Sequence, residues 1–511
     1  MSLRELARDL NAVCAPYVFG IPGGGPSLTL IDGLQKEGAR LFTTRFEGAA
    51  AMMAGTIGRL SGKPGLAVSI KGPGLVNQVP GLAFNLLEAY PMLAIAEAYT
   101  PSISLAKAHK RLDHQAVAAG VTKARRFWSE KGPDARALAT FARAETPGPV
   151  LLDIADAPIA DEAPLAAISD EPQVPALLDR VAKAERPLVI AGTLAIRAGW
   201  SQALSKLTIP VFTTAAAKGL IDESLPHAGG VYTGVGLDLA PERALLPECD
   251  LVIGLGLRTN EVLGAGLKVP SVNFDPLGSR ASWGFDFEAS GPADFDALCQ
   301  ILARRSWGLE RLALARARLE ARLGEGGFLP AAAFRAVEER FGGECRFVLD
   351  TGYFCTIGEH ACHSRRADLF LGSGQARDMG AGLPMAVAAA LYDPSVPTVL
   401  AIGDGGIGMY ASELRLAVDY NLPLLVLFLT DGGFGSIRPR AQKLGLTQAP
   451  LTMKNPSWLK VFDGMGFATH RENGLSGLEA ALAGWTGRGP LFIEAAFDAG
   501  PYQAMVEGIR D

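Results

Sequence analysis

Two short apolar segments, each followed by an acidic turn, constrain the fold of this chain more than any other feature. Residues 399–402 lead into Gly403-Asp404-Gly405-Gly406, a helix is expected at about 409–420, and the second apolar segment, 424–429, leads to Asp431. Two buried strands joined by a helix form a right-handed parallel unit, so both acidic side chains are expected at the carboxyl edge of one sheet. Open α/β sheets bind their ligands at that edge.

The two acidic residues suggest a metal site. Asp404 and Asp431 could share one hard cation, while the neighbouring glycine amides face phosphate oxygens. Two carboxylates beside a phosphate need Mg²⁺ or Ca²⁺ between them, because the bare charges would repel each other. Asp404 alone could instead be a helix N-cap, a common place for Asp. An acidic residue at the end of the next strand favours the metal site, because a helix cap does not require it.

Composition and charge limit the class of protein. The 511 residues are 49% hydrophobic, include 60 Gly and 33 Pro, and carry a formal net charge of −5. These values are typical of a glycine-rich, multidomain α/β enzyme. The mild charge gives no support for nucleic acid or a membrane as a partner. The sequence shows no CxxC pair, signal peptide or apolar segment of membrane length, so we expect reduced thiols and a cytoplasmic location.

Two shifts in composition divide the chain into three units. Residues 155–178 are rich in Pro, Ala and acidic residues and are expected to form a linker, whereas residues 303–327 are typical of a charged surface helix. The predicted domains are residues 1–160, 180–302 and 328–511. Each is long enough for a doubly wound parallel sheet, so the predicted fold class is α/β with three such domains.

The order and spacing of several motifs point to a known family. The first unit contains FGIPGG at 19–24, TRFE at 44–47 before a helix of small residues, and KGPGLVN at 71–77. The third contains DMGAGLP at 378–384, then the GDG turn and the strand end at Asp431. Over nearly its whole length the chain resembles the thiamine-diphosphate-dependent family of acetolactate synthase, benzoylformate decarboxylase and pyruvate decarboxylase. The resemblance implies pyrimidine-binding, central and diphosphate-binding domains, with cofactor sites between the subunits of a homodimer or homotetramer.

The resemblance gives Glu47 the central catalytic role. Thiamine diphosphate reacts as a carbanion at C2, and a carboxylate on its pyrimidine nitrogen favours the imino tautomer that removes the C2 proton. From the residues alone, Glu47 could equally stabilise the N-terminus of a helix at 48–60 through its dipole. Met379 takes the place of the large apolar residue beneath the bent cofactor, with a core methionine as the alternative.

The motifs of the third unit are implied to bind the diphosphate and its Mg²⁺, or Ca²⁺ in its place. The implied metal ligands are the side chains of Asp404 and Asp431 and the backbone carbonyl of Gly433. Most relatives carry Asn where this chain has Asp431, so this chain adds a negative charge beside the diphosphate. The remaining residues expected to contact the cofactor are Gly380, Gly403, Gly405, Gly406, Phe434 and Gly435.

The sequence gives weaker evidence for the residues that bind the substrate. Ile70 stands where one decarboxylase branch has a catalytic histidine, which favours the acetolactate-synthase-like branch. His109 and Lys110 lie where acetolactate synthases place an aromatic–amide pair, so they could orient a 2-oxo acid, with a solvated charged loop as the alternative. Lys71 could pair with a substrate carboxylate or reach solvent. Glu97 stands where synthases often carry Gln, which puts specificity for pyruvate in doubt.

Together these expectations describe a thiamine-diphosphate- and Mg²⁺-dependent 2-oxo acid decarboxylase or carboligase, with Glu47, His109 and Lys110 as candidate catalytic residues. Two alternatives remain open: a lyase or hydrolase that cleaves an acyloin or diketone without CO₂ release, and a non-catalytic relative that keeps the cofactor. A nucleotide-dependent oxidoreductase is disfavoured, because the middle unit has no GxGxxG motif. The expected partners are a small 2-oxo acid or carbonyl substrate and further copies of this chain.

Overall fold

Three parallel sheets with helices between their strands organise the chain. The computed structural model describes residues 2–100, 103, 109–129, 132, 134–155, 157, 176–234, 239–258, 261, 268–275, 287–291 and 294–506. Every strand pair found within these residues is parallel. The predicted fold class, α/β with three doubly wound parallel sheets, is confirmed.

The first sheet carries the amino-terminal motifs. Its strands are β1 (Tyr17–Gly20), β2 (Arg40–Thr43), β3 (Gly65–Ser69), β4 (Met92–Glu97), β5 (Ala124–Phe127) and β6 (Pro149–Ile154), in the order β2-β1-β3-β4-β6-β5. Its helices are α1 (Leu3–Val13), α2 (Pro26–Lys36), α3 (Glu47–Ser61), α4 (Pro73–Leu87), α5 (His114–Val117) and α6 (Ala135–Arg143). Every residue of β3, β4 and β6 is buried, because helices cover both faces of a parallel sheet.

The second sheet is formed by the middle of the chain. Its strands are β7 (Pro187–Ala191), β8 (Val211–Thr213), β9 (Ala228–Val231), β10 (Leu251–Leu255), β11 (Ser271–Phe274) and β12 (Phe287–Gly291), in the order β12-β11-β10-β7-β8-β9. Its helices are α7 (Ala176–Lys183), α8 (Thr193–Arg197), α9 (Ser201–Leu204) and α10 (Phe295–Leu302), with 3-10 helices at Ala215–Ala217 and Pro241–Ala244.

The third sheet carries the two acidic turns. Its strands are β13 (Arg346–Leu349), β14 (Phe370–Gly372), β15 (Thr398–Gly403), β16 (Leu424–Thr430), β17 (Ala468–Glu472) and β18 (Leu491–Ala496), in the order β14-β13-β15-β16-β18-β17. The helices from here to the carboxyl terminus are α11 (Leu309–Leu323), α12 (Pro330–Phe341), α13 (Tyr353–Ala361), α14 (Gly382–Tyr392), α15 (Asp404–Ile407), α16 (Arg415–Asp419), α17 (Arg438–Lys443), α18 (Trp458–Met465), α19 (Leu475–Gly484) and α20 (Ala499–Val506), with 3-10 helices at Ala411–Leu414 and Ala449–Leu451.

Contacts group the chain into two compact units. The first contains the first sheet together with Leu383–Ser395 and Gly408–Pro423, and the second contains the other two sheets. Most of the predicted linker, 155–178, lies outside the described residues. The domain boundaries 1–160, 180–302 and 328–511 therefore stay predictions. No helix among the described residues is both long and apolar enough to cross a bilayer. The six cysteines are free thiols, and all except Cys299 are buried.

The helix expected at about 409–420 is the main local error. The structure instead has the short helix α15, the 3-10 helix Ala411–Leu414 and then α16. Tyr410 interrupts the helical path with φ −129° and ψ 26°. Glycines at 405, 406 and 408 lower the helix propensity of the preceding turn. Glu413, in the 3-10 helix after this break, is fully buried.

Candidate active site

Glu47 begins helix α3 at the carboxyl edge of the first sheet. Small residues let α3 and α4 approach so closely that a Cβ on Gly55 would overlap the side chain of Asn85. This packing brings Asn77 of α4 beside Glu47, and its side-chain amide donates a hydrogen bond to Oε2 over 3.1 Å. Glu47 is only 5% exposed. A carboxylate has about four acceptor sites, so one amide holds it in place and leaves it able to bind a ligand donor.

A second buried acid, Glu413, fixes the turn that precedes Glu47. Its Oε1 accepts a hydrogen bond from the backbone N–H of Arg45 over 2.9 Å, and the Arg45 guanidinium pairs with Asp419 at 3.3 Å. Burial raises the pKa of the Glu413 carboxyl to about 7. Sequence reasoning missed this positioning residue. The only sequence signal for Glu413 was that an acidic residue precedes several apolar ones.

Glu97 closes the glycine-rich turn after β1. Its Oε1 accepts hydrogen bonds from the backbone N–H of Gly25 at 3.1 Å and of Ser27 at 3.2 Å, and from the Ser27 hydroxyl at 2.5 Å. Its Oε2 lies 3.6 Å from the ammonium of Lys71. A glutamine could accept such hydrogen bonds but could not neutralise Lys71. Glu97 therefore serves both as the acceptor for this turn and as the counter-ion of Lys71.

A buried His114–Asp153 pair lies beside the turn after β3. His114 Nδ1 is 2.7 Å from Asp153 Oδ1, and its Nε2 accepts a hydrogen bond from the backbone N–H of Gly72 over 3.0 Å. Because Nε2 is an acceptor, this network assigns the ring proton to Nδ1, which donates it to Asp153. Gln115 donates a further hydrogen bond to Asp153 over 3.0 Å. The sequence had suggested no role for this pair, which holds the turn at Gly72.

The His114–Asp153 pair lines a cavity of about 500 Å³ at the edge of the first sheet. Among the described residues of its wall, Lys71, Lys110 and Arg111 are cationic, and Asp113 and Asp153 are acidic. The structure thus places the predicted site residue Lys110 in a cavity. The other predicted residue, His109, is exposed and lies beside Tyr99 of the wall, with its Nδ1 3.0 Å from the tyrosine hydroxyl.

The GDG turn places Asp404 at the carboxyl end of β15, where it is 3% exposed. Its Oδ1 accepts hydrogen bonds from the Thr430 hydroxyl over 2.7 Å and from the Asn455 side-chain amide. Its Oδ2 accepts from the backbone N–H groups of Asp431 and Gly432 over 3.1 and 3.2 Å. Asp404 therefore joins the ends of β15 and β16, and the two acids follow neighbouring strands at one edge of the sheet, where the sequence pattern placed them. Asn455, which lies far along the chain, was not anticipated.

Asp431 forms an ion pair with Arg438, an arginine that the sequence analysis did not single out. Arg438 Nη1 lies 3.0 Å from Asp431 Oδ2 and donates a second hydrogen bond over 3.2 Å to its backbone carbonyl. Burial raises the pKa of Asp431 to about 6, and the Asp404 carboxylate acts in the same direction while Arg438 opposes it. Asp431 thus has a counter-ion in its own chain.

Glycines keep the surroundings of the two acids open. A Cβ on Gly435 would overlap the Asp431 carboxylate, and one on Gly405 would overlap Sδ of Met379 and lie 2.9 Å from the Phe434 ring. A Cβ on Gly433 would stand 2.7 Å from the Arg438 guanidinium. The structure therefore places these residues close to one another, while their contact with a cofactor stays a prediction.

Asp350 holds the loop that carries Met379. It lies directly after β13, is 1% exposed, and accepts hydrogen bonds from the backbone N–H groups of Gly380 over 2.8 Å and of Gly382 over 3.0 Å. Burial raises the pKa of its carboxyl to about 7. A Cβ on Gly406 would overlap the same carboxylate. Sequence reasoning did not single out Asp350, although an Asp at a strand end was the same signal that drew attention to Asp404.

The oxygen donors of this site suit a hard divalent cation. Asp404 and Asp431 are close enough for the charge of one to raise the pKa of the other. The described residues contain no group of three or more His, Cys, Asp or Glu side chains that could hold a metal alone. Mg²⁺ commonly binds one or two carboxylates and completes its shell with phosphate oxygens, backbone carbonyls and water. The residues present fit that mode of binding.

The fold is a parallel α/β architecture with clusters of buried polar side chains at the carboxyl ends of its first and third sheets. Comparison with protein families identifies the class. Residues 4–117 match the N-terminal TPP-binding domain of thiamine pyrophosphate enzymes, residues 174–278 their central domain, and residues 350–495 their C-terminal TPP-binding domain. The chain belongs to the thiamine pyrophosphate (thiamine diphosphate) enzyme family, and the resemblance inferred from its motifs is confirmed.

Individual relatives indicate which group of the family this chain is most similar to. A probable 2-ketoarginine decarboxylase of Pseudomonas aeruginosa is 31% identical, with 96% of this chain and 93% of the relative covered. A probable acetolactate synthase large subunit of Methanocaldococcus jannaschii is 26% identical, with 84% and 80% covered. A catabolic acetolactate synthase of Raoultella terrigena is also 26% identical, with 92% and 90% covered. This protein is a thiamine-diphosphate-dependent enzyme of the acetolactate synthase and decarboxylase group.

Proposed function

We propose that this protein releases CO₂ from a 2-oxo acid with the help of thiamine diphosphate and Mg²⁺, and that protonation or carboligation completes the turnover. The observation that carries the proposal is the placement of Glu47. Its carboxylate is buried at the start of α3, is oriented by one amide from Asn77, and has Gly74 opposite Oε1. A Cβ on Gly74 would lie 3.4 Å from Oε1, so glycine leaves that side of the carboxylate approachable.

Bound thiamine diphosphate would supply a nucleophilic carbon that can accept the electrons left by departing CO₂. Glu47 would hold a proton at the pyrimidine nitrogen, and Met379 would support the cofactor from below. Asp404, Asp431 and the carbonyl of Gly433 would bind the metal. The residues that would line the diphosphate are Gly380, Gly403, Gly405, Gly406, Phe434 and Gly435.

The presence of Lys110 in the wall of the cavity supports a substrate that carries a carboxylate. Lys110 would bind that carboxylate, and His109 with Tyr99 would shape the entrance. A neutral acyloin or diketone would gain nothing from the cationic residues, so 2-oxo acid decarboxylation is preferred over cleavage without CO₂ release. The decarboxylase named above, at 31% identity, supports the same class of reaction. Self-association as a homodimer or homotetramer and a cytoplasmic location also belong to the proposal.

The test is CO₂ release from a panel of 2-oxo acids that includes pyruvate, 2-oxobutyrate, benzoylformate and 2-ketoarginine, with and without added cofactor and Mg²⁺. We expect cofactor-dependent CO₂ from at least one of them. Glu47→Gln should lower kcat by about a hundredfold or more, the usual contribution of a positioned acid or base. Glu37→Gln, at an exposed glutamate of the same unit, is the matched control. Cofactor binding without CO₂ release, combined with cleavage of an acyloin, would refute the proposal.

A further inference from the structure

A histidine holds the turn that begins helix α4. Gly72, the N-cap of α4, has φ 65° and ψ −104° and has no side chain with which to cap the helix. A Cβ on Gly72 would overlap the backbone carbonyl oxygen of Lys110, so only glycine fits there. The Gly72 N–H donates its hydrogen bond to Nε2 of His114 over 3.0 Å. The position of this turn therefore depends on one lone pair of the His114 ring.

Asp153 decides which ring nitrogen of His114 carries that lone pair. Its Oδ1 lies 2.7 Å from His114 Nδ1, and its Oδ2 accepts a hydrogen bond from the Gln115 side-chain amide over 3.0 Å. His114 is 6% exposed and Asp153 is 1% exposed, so little water competes for these contacts. Because Nδ1 donates to the carboxylate, Nε2 carries no proton and can accept from Gly72. This lone pair is used within the protein, so Nε2 is not free to act as the base that removes a substrate proton.

The start of α4 contacts both oxygens of the Glu47 carboxylate. Asn77 donates a hydrogen bond to Oε2 over 3.1 Å, and a Cβ on Gly74 would lie 3.4 Å from Oε1. Gly74 and Asn77 belong to the helix that Gly72 caps. A displacement of the Gly72 turn would therefore move the groups that set the direction of the carboxylate.

We propose that His114, oriented by Asp153, is a positioning residue for Glu47. Nε2 of His114 fixes the Gly72 turn, and the helix that starts at this turn fixes the carboxylate that would contact the pyrimidine ring of the cofactor. This inference rests on the proposed function and deepens it, because it adds a second pair of residues on which activation of thiamine diphosphate depends.

Two substitutions of His114 separate the two contacts of its ring. In His114→Gln, the amide oxygen can reach about the position of Nε2 and accept from Gly72, although the contact with Asp153 is lost. In His114→Asn, the side chain is shorter, so its amide can still meet Asp153 but cannot reach Gly72. Both replacements carry a neutral amide, which makes them a matched pair. His470→Gln, at an exposed histidine of β17, is the control.

Deuterium exchange at C2 of bound thiamine diphosphate gives the functional readout. We expect exchange within about threefold of the wild-type rate in His114→Gln and in the control, and at least about tenfold slower in His114→Asn, because a small misplacement of a positioned group is costly. This exchange needs no 2-oxo acid. If the variants follow this order while no 2-oxo acid releases CO₂, the positioning role stands and the proposed reaction fails. Equal rates in the two His114 variants, or a faster rate in His114→Asn, would overturn the inference even if CO₂ is released.

Backbone amide exchange in the cofactor-free protein tests the contact with Gly72 itself. Mass spectrometry of overlapping peptides that cover residues 71–77 should show protection in the wild type and in His114→Gln, and exchange about tenfold faster at Gly72 in His114→Asn. Peptides from α12 should exchange equally in all three proteins, which shows that each is folded. Unchanged exchange of the 71–77 peptides in His114→Asn would overturn the inference.

Discussion

Arg438, the first residue of α17, lies 3.0 Å from Oδ2 of Asp431 at the end of β16 and is largely buried there. The pair explains how this chain accommodates an acidic residue beside Asp404. The guanidinium of Arg438 offsets one of the two negative charges of Asp404 and Asp431, which are largely shielded from water. It also competes for the oxygen that a bound metal would use, so the pair is expected to set the affinity for the cation.

Removal of this competing charge should strengthen metal binding. In Arg438→Met, Asp431 keeps its carboxylate but loses its counter-ion, so Mn²⁺ used as a probe for Mg²⁺ should bind about threefold to tenfold more tightly. Electron paramagnetic resonance of free Mn²⁺ gives the dissociation constant directly. Arg440→Met, at an exposed position of the same helix, is the matched control. Weaker Mn²⁺ binding in Arg438→Met would show that the guanidinium supports the site instead of competing with the cation.

The loop held by Asp350 should depend on both of its backbone contacts. Asp350→Ala leaves the N–H groups of Gly380 and Gly382 without this acceptor, at a cost of about 1–3 kcal/mol each. We expect Asp350→Ala to lower the affinity for thiamine diphosphate at least tenfold, as measured by quenching of tryptophan fluorescence. Asp350→Asn keeps one acceptor oxygen, so its affinity for thiamine diphosphate should fall less. Equal affinities in the wild type and Asp350→Ala would remove Asp350 from its positioning role.

The glycine of the GDG turn next to Asp404 should not tolerate a side chain. A methyl group at Gly405 would displace Met379 and press on Phe434. Gly405→Ala should therefore weaken thiamine diphosphate binding about tenfold, as measured by calorimetry, while the protein still folds. Gly464→Ala provides the control, because a Cβ there meets no atom within 4 Å. Unaltered binding in Gly405→Ala would mean that Met379 does not contact the cofactor.

Glu413 should make stability depend on pH in a defined direction. Because burial raises its folded pKa from an ordinary value of 4.5 to about 7, the folded protein binds this proton more tightly than the unfolded chain does. The resulting stability is present at low pH and is lost as pH rises through about 7. Glu413→Gln removes the titrating group. Its free energy of unfolding, relative to that of the wild type, should therefore rise by on the order of 2 kcal/mol between pH 5 and pH 8.

Thermal unfolding midpoints at the two pH values test this expectation. The midpoint of Glu413→Gln minus that of the wild type should be larger at pH 8 than at pH 5. Glu37→Gln, which replaces an exposed acid of the same unit, should show no such change. A difference that is the same at both pH values, or larger at pH 5, would contradict the assigned direction.

The sequence predicted the structure best where a buried strand ends at a candidate site residue, because one sequence pattern then marks both. The buried strands β3, β4 and β16 form nearly continuous apolar segments, and the position of Asp431 after β16 followed from the parallel connection. The edge strands β2 and β17 carry exposed residues at alternate or irregular positions, so their composition did not mark them as strands. The one helix predicted at about 409–420 is in the structure a 3-10 helix, Ala411–Leu414, followed by the short helix α16.

Residues that act on distant backbone groups could not be found from local pattern. Glu413 contacts Arg45 across 368 positions of the chain, and Asp350 contacts Gly380 across 30. Arg438 is only seven positions from Asp431, yet nothing in its immediate sequence distinguishes it from an exposed arginine. Only tertiary structure reveals which polar group a buried charge meets.

The most direct test of the account is exchange of the C2 proton of bound thiamine diphosphate for deuterium, followed by quenched-flow and proton NMR. The role proposed for Glu47 predicts exchange at least about a hundredfold slower in Glu47→Gln than in the wild type, with cofactor still bound and with Glu37→Gln unchanged. Exchange at the wild-type rate in Glu47→Gln would contradict the claim that this carboxylate activates the cofactor.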